Sequence, residues 1–76
     1  MVKDIIGKLP YSVAATIADY KYHYKRLRKS TKVNAILQLD ALKHRMSGYA
    51  SALYDCGVLN DHERAILVAY MNSIED

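Results

Sequence analysis

Residues 31–57 read TKVNAILQLDALKHRMSGYASALYDCG. Within them Leu39, Leu42, Met46, Tyr49 and Leu53 follow one another at steps of three, four, three and four. That spacing stacks side chains on one side of an α-helix and not on a strand. A helix over this span would be about 39 Å long at 1.5 Å per residue. It has a second, leaner face made of Leu37, Ala41, Gly48 and Ala52. A bulky face and a small-residue face together predict a helix contacted from more than one side. Gly48 inside it costs about 1 kcal/mol relative to alanine. The expected compensation is close approach of a neighbouring helix, because Ser47, Ala50, Ser51 and Ala52 are small as well.

The flanking segments follow from this rod. Gly57 is a good residue to end it, since glycine adopts the left-handed conformation that closes many helices. Val58 and Leu59 make the connection. Asn60 with Glu63 three residues on has the pattern of a capping box, and Ile66, Leu67, Tyr70, Met71 and Ile74 form the inward face of a last helix. On the other side, Val13, Ile17, Tyr20, Tyr24 and Leu27 make the core stripe of a helix that starts at Pro10 or Ser12. Continued past Leu27, that stripe leads to Thr31, Asn34, Gln38 and Ala41, out of phase with Leu39 and Leu42. A break at Lys29 to Lys32, with Ser30 or Thr31 as N-cap, removes the conflict and folds the two segments back as a hairpin. Val2, Ile5, Ile6 and Leu9 predict a short N-terminal helix docked as an arm, ended by Pro10. The expected fold is an all-α antiparallel bundle of three main helices near 11–29, 32–56 and 61–74, plus that short helix, in a single domain over 1–76.

Composition agrees with few, long elements: 51% of residues are hydrophobic, and Gly 3 and Pro 1 leave little material for turns. A chain of 76 residues lies near the lower limit for folding alone, and small helical domains often gain stability by self-association or by docking on a partner. The one cysteine, Cys56, rules out an internal disulfide, and no cationic cluster flanks it to make it reactive. The start MVKDIIGKLP breaks its apolar run with Asp4, Gly7 and Lys8, unlike a signal peptide. The longest uncharged windows are half the roughly 20 residues that a membrane-spanning helix needs. A soluble, cytoplasmic protein with no membrane partner is expected.

Catalytic patterns are thin. His23, His44 and His62 are scattered without the spacing of a zinc site. Asp40 and His44 share a helix face, a surface pair rather than a ligand set. There is no Gly-rich phosphate loop, serine-nucleophile motif or paired acidic motif. No enzyme, cofactor or metal is expected.

Charge is the informative feature. Residues 1–54 carry a balance of +7 and residues 55–76 a balance of −4. Lys21, Lys25, Arg26, Arg28, Lys29 and Lys32 crowd into twelve residues without an acid. Part of this cluster has a purely structural account, because cations complement the negative end of a helix dipole. Opposite the Val13 stripe, however, lie Tyr22, Lys25, Arg26 and Lys29, with Lys32 just beyond. Tyr20 and Tyr24 belong to the core, whereas Tyr22 stands exposed among cations. Such a face suits an acidic protein surface, with Tyr22 and Arg26 as anchors. It would also suit nucleic acid, the ring stacking on a base while its neighbours hold phosphates. A third account is a solvated helix end with one tyrosine along its lysine stems. The last helix is a poor recognition helix for DNA, since it opens with Asp61 and Glu63 and has Arg64 as its only cation. The leading expectation is a non-enzymatic interaction or regulatory module binding a protein partner through Tyr22, Lys25, Arg26, Lys29 and Lys32. Its size would suit an accessory or inhibitor protein of a phage or plasmid. Nucleic-acid binding by the same helix, and a structural homodimer through Leu37, Ala41, Gly48 and Ala52, are the alternatives.

Overall fold

A computed structural model describes residues 1–74; Glu75 and Asp76, two of the C-terminal acids, lie outside the described residues. Four helices follow one another: α1 (Val2–Gly7), α2 (Tyr11–Arg28), α3 (Val33–Asp55) and α4 (Asp61–Met71). Helices α2, α3 and α4 each pack on the other two, and α1 packs on α4. This is the expected all-α antiparallel bundle with a short N-terminal helix. It measures 37 × 22 × 20 Å, and its long dimension is that of α3, whose 23 residues rise about 35 Å.

The apolar stripes meet in one core. Ile5, Ile17, Tyr24, Leu42, Met46, Ala50, Leu53, Leu67 and Met71 are all buried in it. Tyr20 and Tyr49 flank it with their rings 5.7 Å apart. Leu59, expected only to connect two helices, is buried too and seals the core beneath the α3–α4 turn.

The helix ends of that turn are closed as the sequence implies. Gly57 has φ +77; its N–H donates to the Tyr54 carbonyl and the Val58 N–H donates to that of Leu53, at 3.0 and 2.9 Å. These two bonds satisfy carbonyls that the end of α3 would otherwise leave open. The capping box is complete: the Glu63 N–H donates to Asn60 Oδ1 at 2.8 Å, and the Asn60 N–H to Glu63 Oε1 at 3.0 Å. The bond from the Asn60 backbone is the main reason that the Glu63 carboxyl titrates below its ordinary range; partial burial opposes it, and Lys8 at 3.3 Å assists. A carboxyl lowered on folding contributes stability above its unfolded value, and this contribution is lost as pH falls through the lowered one. Asn60→Ala should cost about 1 kcal/mol, read as a lower urea midpoint at unchanged slope.

Elsewhere the structure departs from expectation. The chain does break before α3, but neither Ser30 nor Thr31 caps it. Lys32 occupies the N-cap with extended backbone and no side-chain bond. Ser30 Oγ instead accepts the Lys32 N–H at 3.3 Å, so the serine braces the turn. Helix α2 opens behind Pro10 as N-cap, again without a side-chain bond. Helix α4 ends at Met71, and Ile74 is 55% exposed rather than inward. The last carbonyls of α4 take side-chain donors as well as backbone ones. Asn72 Nδ2 turns back to the Val68 carbonyl at 3.0 Å, and a lysine from α2 takes those of Tyr70 and Ser73.

The leaner face of α3 is the clearest correction. Leu37, Ala41, Gly48 and Ala52 are all exposed, and a Cβ built on Gly48 meets nothing within 4 Å. Among the described residues no helix approaches there; Ala41, Gly48 and Ala52 face solvent, opposite Leu42 and Met46, while Ala50 is buried in the core. Gly48→Ala should therefore stabilise the fold by about 0.5–1 kcal/mol through propensity and unfolded-state entropy, seen as a raised thermal midpoint.

Candidate functional site

The basic run of α2 divides according to the wheel. Lys21 stands four residues after Ile17 and three before Tyr24, which puts it on the core stripe despite its charge. It is 5% exposed. Its Nζ donates to the carbonyls of Tyr70 and Ser73 at 2.8 and 2.9 Å and lies 4.0 Å from the centroid of the Tyr70 ring. A buried ammonium is tolerable only with such partners. Here it serves the negative end of α4, so Lys21 leaves the surface cluster in which the sequence places it. Arg28 also turns along the protein, its Nη1 donating to the Tyr24 hydroxyl at 3.0 Å.

The five residues expected to bind a partner stay near the surface. Tyr22 is 61% exposed, its ring set edge-on against His23 at 5.5 Å. Arg26, Lys29 and Lys32 are exposed and Lys25 is half-buried. Among the described residues Arg26, Lys29, Lys32 and Arg45 make no ion pair.

A groove of about 770 Å³ runs between the C-terminal half of α2 and the N-terminal half of α3. Its floor is Tyr20, Leu27, Ala35 and Leu42; its rims are His23 and Arg26 on α2 and Arg45 on α3, with Lys32 in the turn that joins them. Asp19 closes one end and lies 3.5 Å from His23 Nε2. No residue of α4 lines it. Of the expected five, Arg26 and Lys32 thus border the groove, and Tyr22 adjoins it through His23. Lys25 and Lys29 lie outside it, on the flank of α2. The contribution of Arg45, His23 and Tyr20 was missed. Their positions follow only once the two helices are laid side by side as a hairpin and their adjacent flanks compared.

Helix α4 is too short to cover the hairpin. Val68 and Asn72, near its end, share a second, shallower cleft with Asp40, Lys43, His44 and Ser47. The first two turns of α3 therefore extend past it together with the end of α2. On this overhang Val33, Ile36 and Leu37 are exposed. Residues 22–39, which span it, contain five cations and no acid. Across the molecule, α4 spends its cation internally: Arg64 pairs with Asp61 and lies over the Tyr54 ring at 5.1 Å.

The remaining chemistry-bearing groups stay apart. Asp40 and His44 form a surface pair at 3.7 Å with both side chains about three-quarters exposed. Cys56 is exposed at the end of α3. Among the described residues no group of three or more His, Cys, Asp or Glu is placed to hold a metal ion, and no helix is long and apolar enough to cross a membrane. Comparison with family models, curated proteins and solved structures gives no match to this chain.

Proposed function

We propose that the chain is a non-enzymatic regulatory module that binds a partner protein through an acidic surface, received on the basic flank of α2 and the adjoining groove. The observation that carries this reading is the combination of an apolar floor with rim cations that make no ion pair among the described residues: Tyr20, Leu27, Ala35 and Leu42 below, Arg26, Lys32 and Arg45 above. Cations left unpaired attract an acidic partner over several ångströms and select against basic ones. An apolar floor adds the desolvated anchor site on which most interface energy is concentrated. Tyr22, Lys25 and Lys29 extend the same surface round α2.

A nucleic acid would use the cations and the Tyr22 ring but would gain nothing from the apolar floor. It is the second reading, and salt separates the two. Phosphate neutralisation makes log affinity fall with log salt by about 0.9 per contact on duplex DNA, whereas apolar anchoring in a protein groove softens that dependence. Proteins from the native host retained by the wild-type chain should be lost when the bait is Arg26→Glu/Arg45→Glu. Retention unchanged by that variant would reject the reading. Binding of short DNA or RNA at low salt, abolished by the same variant and steeply salt-dependent, would replace it. A homodimer through the open face of α3 is tested by light scattering at high micromolar concentration.

A further inference from the structure

Resting on that protein-binding reading, we infer that what occupies the α2–α3 groove is an amphipathic helix of the partner with acids on both sides of its apolar stripe. Three features lead there. The first is backbone chemistry. Away from their ends at the α2–α3 turn, the walls are helices whose own N–H and C=O groups are internally paired, and no strand edge exists among the described residues. An extended segment laid in this groove would find no backbone partners, while a helix brings its own. The second is shape. The groove is the slot between two antiparallel helices, and Ala35 on its floor is buried with only a methyl group, which lets a third helix approach closely. The lining from Asp19 on α2 to Ser30 in the turn beyond it sets a length of about 17 Å, or three helical turns.

The third feature is charge. Cations stand on both rims, Arg26 on one and Arg45 on the other with Lys32 in the turn between them, so carboxylates are wanted on both flanks of the occupant. The lone acid, Asp19, sits at the end farthest from the α2–α3 turn. Arg45 shares that end and is offset by Asp19, so the net positive charge is concentrated at the turn end with Arg26 and Lys32 and gives the occupant a preferred direction. A docked helix of this kind would stand on the side of the hairpin that α4 leaves unlined, supporting the overhang that α4 does not reach.

The probe is a fluorescein-labelled, side-chain-stapled 14-residue helix with leucines at positions i, i+4 and i+7 and glutamates on both flanks of that stripe. Fluorescence anisotropy against the full chain should show binding at least tenfold tighter than to the same peptide with a central proline. A peptide with lysines in place of the glutamates should not bind. Amide shifts in 15N spectra should concentrate at His23, Leu27, Ala35, Gln38 and Leu42. Arg26→Glu/Arg45→Glu should weaken binding at least tenfold while keeping its helical circular dichroism. Should that variant unfold, Ala35→Gln, which fills the floor without touching charge, should give the same loss. Equal binding of the proline peptide would overturn the helical occupant yet leave the protein-binding reading standing. Absence of binding by either peptide would also overturn the inference, and so would shifts confined to Leu37 and Ala41. The parent reading is judged separately, by whether charge reversal releases the host proteins.

Discussion

Lys21→Met should cost the protein about 3 kcal/mol, although it replaces a charged residue by an apolar one of similar length in a buried position. The reason lies in what the ammonium leaves behind. Its two bonds to the carbonyls of Tyr70 and Ser73 are charge-assisted, each worth about 1.5–3 kcal/mol. Part of that is returned by the better solvation balance of a thioether. The position over the Tyr70 ring adds a cation–π contribution of about 1 kcal/mol. In a domain of this size about 3 kcal/mol corresponds to a fall of about 15 °C in thermal midpoint. Calorimetry at neutral pH decides it: a fall of less than about 5 °C would mean that these carbonyls are already satisfied without the lysine.

Leu67→Ala is expected to act still more strongly, removing about 4 kcal/mol. Leu67 is fully buried on α4, the helix that touches all three others. Substitutions of this kind lose both the transfer energy of the side chain and the contacts around the cavity left, and they range over about 2–5 kcal/mol. A chain of 76 residues has a total stability of only about 4–11 kcal/mol at 0.05–0.15 kcal/mol per residue. The variant should thus lose a third or more of its stability, with a urea midpoint shifted accordingly and a helical signal kept in the absence of denaturant if the parent lies high in that range. A loss below 1 kcal/mol would show that α4 is not integral to the core.

Features encoded over a few neighbouring residues were legible from sequence. Gly57 and the Asn60–Glu63 box need only their own turn, and both close as expected. The phase slip between Leu27 and Leu39 located the break before α3, and wheel position separated exposed Tyr22 from buried Tyr24. What escaped depended on where distant elements stop. Lys21 occupies a core position, but nothing near it in sequence announces the carbonyls at the end of α4. Ala41, Gly48 and Ala52 resemble a packing face, and only the absence of a helix opposite them among the described residues shows otherwise. Ile74 continues the apolar spacing of α4 beyond Met71, where the helix stops. The groove belongs to two helices at once, so Arg45 and His23 join Arg26 only in three dimensions.

The unequal lengths of α3 and α4 have a consequence for how the molecule opens. Fluctuations that part the hairpin at its tip need break only α2–α3 contacts, whereas separation lower down must also detach α4. Amides of the overhang should therefore exchange through small local openings, and those around Met46 only through global unfolding. A guest seated at the tip must quiet this fraying before it gains from contact, so part of its intrinsic affinity is consumed in ordering its host.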